Sequence, residues 1–236
     1  MSKRFKNKPC VYCGEPGGTA DHVFAREFFP ETHRANLPQV SACSNCNGGK
    51  SSLEHYLLTV LPFGGSHPAS QTILRDVVPR RLAKNQKLHL GLATGRQQIV
   101  VREQGSERRS IALPFDPSKL ESYFEFVTRG LAAFHWGIMI PADYFVGAGL
   151  LNKGGELIFE NLMKSRSNQE VRASLGDGLI LYQGVQAVDD PCLTLWRYQL
   201  YGGIVLGGDP RAPSETSSNI WASTSRRPIR GLSAKD

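Results

Sequence analysis

Two C-x-x-C pairs, Cys10-Val11-Tyr12-Cys13 and Cys43-Ser44-Asn45-Cys46, are the strongest chemical signal in the sequence. Each pair offers two soft sulfur ligands about one turn apart, and together they complete the tetrahedral thiolate shell of a structural zinc ion. A disulfide framework would need an oxidising compartment, and a thioredoxin-like redox pair would account for one motif but not two. The fifth cysteine, Cys192 in PCLTLW, reads as a small buried hydrophobe. A shell closed by four sulfurs performs no chemistry, because catalytic metal needs an open coordination position. Any reaction falls to the residues the zinc makes neighbours: Asp21-His22 after the first pair, Asn36-Leu37 before the second, and Asn47 directly after Cys46. Taken singly, each has a plain alternative. Asp21 suits a turn or cap, Asn36 a loop, and His22 a buried hydrogen-bonded ring.

The order Cys-x-x-Cys, Asp-His, Asn-Leu, Cys-x-x-Cys-Asn-x-x-Lys, over roughly residues 8–61, resembles the HNH branch of the ββα-metal nucleases in its zinc-stapled form. The resemblance implies that His22 is the general base and that Asp21 ligates one catalytic divalent cation. It gives Asn36 the task of holding the loop and orienting His22, and Asn47 the third motif position, a second ligand to that cation. The family often has histidine there. An amide oxygen is harder and weaker and favours Mg²⁺ or Mn²⁺. His55, two helical turns further on, is a substitute ligand. Lys50 is a candidate phosphate contact, with a solvated lysine as the alternative.

These residue types suit phosphodiester hydrolysis. An imidazole with an ordinary pKa near ~6.5 can take a proton from water, and a hard cation can bind the scissile phosphate and stabilise the leaving oxygen. The implied function is a metal-dependent endonuclease that nicks or cuts DNA, with RNA as the alternative substrate and bacterial defence against phage or plasmids as a family-level setting. The competing reading is a zinc-stapled module that binds nucleic acid or protein without cutting. The later residues, with Glu54 and TRGLAAFHWG, look more loosely like bacterial HNH proteins with a C-terminal extension, which names no substrate.

The elements that must position these residues follow from periodicity. Ser51-Ser52-Leu53-Glu54 has the form of a capping box and predicts a helix to about Leu61, while Gly48-Gly49 argues against one continuous helix from Asn47. Pro62-Phe63-Gly64-Gly65 marks the end of this module. Next comes basic helical surface carrying Arg75, Arg80, Arg81, Lys84 and Lys87, broken at Pro79. QQIVVRE and RSIALPF then predict a hairpin with Arg102, Arg108 and Arg109 near its turn. A helix starting at Ser118, with Glu121 three residues later, places Leu120, Tyr123, Phe124, Val127, Leu131 and Phe134 on one apolar core stripe and ends at His135-Trp136. GLILYQGV, LTLWRYQLY and GGIVLGG predict short antiparallel strands packed on that helix. From Gly208 onward Ser, Pro and Arg prevail, including Arg226, Arg227 and Arg230, and a polar tail that is partly disordered or forms an interface is expected.

The expected fold is thus α+β: a zinc-stapled ββα-metal (HNH) module at 1–62, a basic helix and hairpin segment at 63–118, and a mixed helix and antiparallel-sheet region at 119–236. Charge is uneven among them. The first segment has seven Lys/Arg against five Asp/Glu, the second nine against four, and the third twelve against twelve, so most of the net +7 lies in the middle. A basic excess beside the candidate site suits a polyanion, since neutralised phosphates release counterions. The expected partner is DNA, contacted through Lys50, Arg75, Arg80 and Arg81, with a homodimer or regulatory partner acting through the C-terminal region. The charged start and the lack of an apolar run of roughly 18–20 residues point to a soluble, cytoplasmic chain without membrane contact.

Overall fold

The structure, a computed structural model, describes residues 3–103, 106–164, 167–204 and 216–227. Strands β1 (Thr19–His22) and β2 (Gln39–Ala42) pair antiparallel, and helix α1 (Ser44–Val60) follows at once. Gly48-Gly49 does not interrupt α1, contrary to the sequence expectation, and the helix starts at Cys43 and not at Ser51. Cys43 has extended backbone and its Sγ accepts from the Cys46 N–H at 3.4 Å, which makes the cysteine itself the N-cap. Each interior glycine costs about 1 kcal/mol relative to alanine. Burial of Lys50, Leu57, Leu58 and Val60, with α1 packed against a later helix, outweighs that cost.

Three short helices come next: α2 (Pro68–Asp76), α3 (Val78–Lys84) with Pro79 in its first turn, and α4 (Gln86–Gly95). The expected hairpin forms from β3 (Gln97–Glu103) and β4 (Ser106–Ala112), with Val100 opposite Arg109. Its turn at residues 104–105 and the side chains of Arg102 and Arg108 lie outside what the structure describes.

Helix α5 (Pro117–Trp136) occupies the middle of the molecule, touching α1 and β2 as well as the C-terminal sheet. Its cap is Asp116, whose carboxylate accepts from the Ser118 N–H at 3.1 Å, so the helix begins one residue before the predicted start. Leu120, Tyr123, Phe124, Val127 and Leu131 are buried as the 3.6-residue period requires, whereas Phe134 is 41% exposed and leaves the stripe. At its end His135 Nε2 meets the Tyr182 hydroxyl at 2.9 Å and Trp136 lies against Trp196, a packed helix terminus.

The remaining elements are β5 (Phe145–Asn152), α6 (Lys153–Lys164), β6 (Ser167–Leu175), β7 (Ile180–Ala187), β8 (Thr194–Leu200) and β9 (Thr216–Ser225). The five strands form one antiparallel sheet in the order β5-β9-β8-β7-β6. Strict alternation along β8 turns Trp196, Tyr198 and Leu200 inward and leaves Leu195, Arg197 and Gln199 on the other face. Trp196 lies across Gly184 of β7, where an added Cβ would meet the indole at 2.4 Å, so only glycine fits. One expectation is corrected here. Thr216–Ser225, rich in Ser and Thr, form β9, an inner strand, and not a disordered tail; Arg226 and Arg227 follow it, and Arg230 lies outside the described residues. GGIVLGG is described only as far as Ile204, which forms an isolated bridge with Gly65; residues 205–208, where the rest of the expected strand falls, lie outside the described residues. One contiguous core runs from Cys10 through α1 and α5 to Ala222, and a smaller one under α6 joins Phe159 and Met163 to Val185 and Trp221. The chain is mixed α+β, and among the described residues no helix is long and apolar enough to cross a membrane.

Candidate functional site

The two cysteine pairs converge. All four sulfurs lie within 4.8 Å of one another, and the Cys13 and Cys43 sulfurs are 3.8 Å apart. A disulfide needs about 2.05 Å, whereas the edge of a tetrahedron with Zn–S bonds of ~2.3 Å is about 3.8 Å. The four thiols therefore fit a metal ion such as zinc. The first knuckle is tied down by the Cys10 N–H donating to Glu15 O at 2.8 Å and the Val11 N–H donating to Ser41 O of β2 at 3.0 Å. Gly17 permits this approach, since a Cβ there would fall 2.4 Å from Ser41 Oγ and 2.7 Å from Lys8 O. The second knuckle is the start of α1, where the backbone N–H of Cys46 holds the Cys43 thiol down to about 7, whereas loss of solvent raises Cys46 and Cys13 beside it.

Asp21 and His22 sit side by side on β1 but in different surroundings. Asp21 is buried. Its Oδ2 accepts from the Tyr12 hydroxyl at 2.5 Å, and its two oxygens lie 3.2 and 3.0 Å from the Lys50 ammonium. Lys50 is fully buried and also reaches His22 O at 2.5 Å and Glu54 Oε1 at 2.9 Å. Burial pushes the Glu54 carboxyl up, against the opposing pull of Lys50. Tyr12, raised well above its ordinary value by burial and then by Asp21, remains a neutral donor. The cluster thus joins one ammonium, two carboxyls and a phenol, and locks β1 to α1.

This arrangement corrects one expectation and bears on another. Lys50 cannot touch a phosphate at the surface, because its side chain is fully buried and its ammonium is sealed among four oxygen atoms. Both Asp21 oxygens already face this ammonium, so the divalent cation expected there would have to displace it. Asn47 is half-buried one turn before Lys50 on α1, and its backbone N–H donates to Cys43 O at 3.0 Å. Among the described residues the cysteines are the one group of three or more His, Cys, Asp or Glu side chains gathered closely enough to hold a metal ion.

His22 is half-buried, and its Nε2 lies 2.7 Å from the Gln39 amide directly across the strand pair. Burial lowers its pKa, and the neighbouring charge of Arg26 lowers it further, so the ring is neutral near neutral pH. Asn36, the expected orienting residue, is exposed in a turn with φ of 56°; it shapes the loop, and Gln39 is the residue that engages the imidazole. The sequence reading missed Gln39, Arg26 and Tyr12. Strand register alone could have suggested Gln39. His55 points away, with Nδ1 3.0 Å from Arg81 Nη1, and is no substitute ligand.

The other expected nucleic-acid contacts are scattered on the surface. Arg75 is exposed and paired with Asp76 at 2.8 and 3.0 Å, Arg81 is half-buried against His55, and Arg80 is exposed. Lys84, Lys87, Arg96 and Arg109 are exposed in the same basic segment. No protein-family model matches the sequence, and neither a curated protein nor a solved structure matches it.

Proposed function

We propose that the chain is a DNA endonuclease of HNH type whose catalytic base is His22. The observation that supports this reading is the state of that ring: neutral, half-exposed, anchored by Gln39, beside Arg26, on a strand clamped to a cysteine-closed helix start. The Gln39 side-chain N–H donates to Nε2, which marks Nε2 as the nitrogen with the lone pair, and the ring takes a proton there when the attacking water replaces this donor. Arg26 supplies positive charge for the scissile phosphate, and the exposed lysines and arginines of α3, α4 and the hairpin supply attraction for the backbone. The zinc ion holds the two knuckles and takes no part in the reaction. The Mg²⁺ or Mn²⁺ that the resemblance implies is left out of this mechanism, because Asp21 is already committed to Lys50.

Purified wild type and His22→Ala are incubated with supercoiled plasmid, with Mg²⁺, with Mn²⁺ and with chelator, and nicked and linear forms are followed. The expected result is nicking by wild type that falls by a factor of ~10² to 10⁴ in the variant. Equal cleavage by both proteins, or none by either while zinc-loaded and folded, overturns the reading. A second reading, a zinc-stapled module that binds nucleic acid or protein without cutting, draws on the buried Asp21–Lys50 pair, which removes the cation that such nucleases employ.

A further inference from the structure

The cation position at Asp21 is filled by the protein itself. Lys50 Nζ lies 3.0–3.2 Å from both carboxylate oxygens, 2.5 Å from His22 O and 2.9 Å from Glu54. Four oxygen atoms thus surround one positive centre, as oxygen ligands surround a hard metal ion, but at hydrogen-bond and not coordination distances. The side chain is fully buried and arrives from α1, one turn after Asn47, the residue that would complete a metal site with Asp21.

We propose that Lys50 is a built-in replacement for the divalent cation at Asp21, and that the chain does not take up Mg²⁺ or Mn²⁺ there. The ammonium pairs with Asp21 and Glu54, ties β1 to α1 and leaves His22 in place without metal. Removing its charge leaves two carboxyls and the His22 carbonyl around the space it filled, oxygen donors of the kind a divalent cation takes. This inference concerns the same place as the proposed nuclease and rests on that reading for the significance of Asp21. Its test reads metal binding and not cleavage, so either can fail alone.

Mn²⁺ is titrated into the zinc-loaded full chain while amide NMR signals are followed, since the paramagnetic ion broadens signals near wherever it binds. In wild type the amides of Asp21, His22 and Lys50 are expected to broaden no earlier than those of exposed carboxylates such as Asp76 and Glu31. Selective early broadening of those three amides overturns the proposal. In Lys50→Met the same three are expected to broaden first, with Mn²⁺ bound at least about ten times more tightly than by wild type. A folded, zinc-loaded Lys50→Met that ignores Mn²⁺ also overturns it. If that variant fails to fold, the wild-type titration decides alone.

Discussion

The ammonium of Lys50 and the carboxylate of Asp21 meet 3.0 Å apart, with the lysine side chain fully enclosed and the aspartate side chain 7% exposed, although 29 residues separate them in the chain. Two charges so deeply buried are kept only where further polar groups offset their loss of water. Tyr12 and the carbonyl of His22 supply hydrogen bonds and Glu54 an ion pair, although Glu54 Oε1 makes no hydrogen bond of its own. The pair therefore joins the strand that carries the candidate base to the helix start that carries Cys43 and Cys46, half of the four-cysteine cluster.

Lys50→Met is expected to cost about 3–5 kcal/mol, because it strands Asp21 and Glu54 without their cation. For a domain of this size that is a fall in melting temperature of roughly 10 °C. Differential scanning calorimetry of zinc-loaded protein checks it, and Lys50→Met combined with Asp21→Asn should recover part of the loss.

Cys46→Ala should behave differently from every active-site change. Losing a ligand forfeits structural zinc, whose binding supplies on the order of 10 kcal/mol of folding energy in small zinc modules. Circular dichroism and metal analysis should show a zinc-free, unfolded N-terminal region, whereas His22→Ala keeps its zinc and its melting temperature within a few degrees.

Gln39→Ala is expected to lower kcat by about 10- to 100-fold with little change in KM, as befits a residue that holds the base in position. Gln39→Asn, which keeps an amide donor, should recover part of the rate, and Gln39→Glu should not. A matched rise in KM with kcat unchanged would make Gln39 a binding residue instead.

Acid should weaken the fold through His135. Burial lowers its folded pKa below the ordinary ~6.5, so as pH falls below that value the unfolded chain takes up a proton that the folded chain resists. Stability therefore rises with pH across this window and is lost as pH falls through it. Urea midpoints at pH 7.0 and 5.5 should differ less in His135→Gln than in wild type.

The parts legible in the sequence are those whose signal is local. Cysteine spacing announced the knuckles, alternation marked β7 and β8, and the helical period marked α5. What was hidden depends on partners distant in the chain. A lysine after two glycines reads as solvated, and only the packing of α1 on β1 turns Lys50 inward. The same glycines read as a break because propensity cannot see the Cys43 cap or the helix packed behind them. Gln39 acquires its place from register, which sets it opposite His22. In β9, Ile220, Trp221 and Ala222 are a short apolar signal among serines and threonines, too brief to announce an inner strand.

The order β5-β9-β8-β7-β6 also sets a schedule for synthesis. Strands β6, β7 and β8 are neighbours in sequence and can pair as they leave the ribosome, but β5 has no partner until β9, more than sixty residues later, has emerged and slid between it and β8. Until then both edges of β5 and one edge of β8 stay open to other chains. A nascent chain stalled before Thr216 is thus expected to be a substrate for chaperones, and a completed one is not.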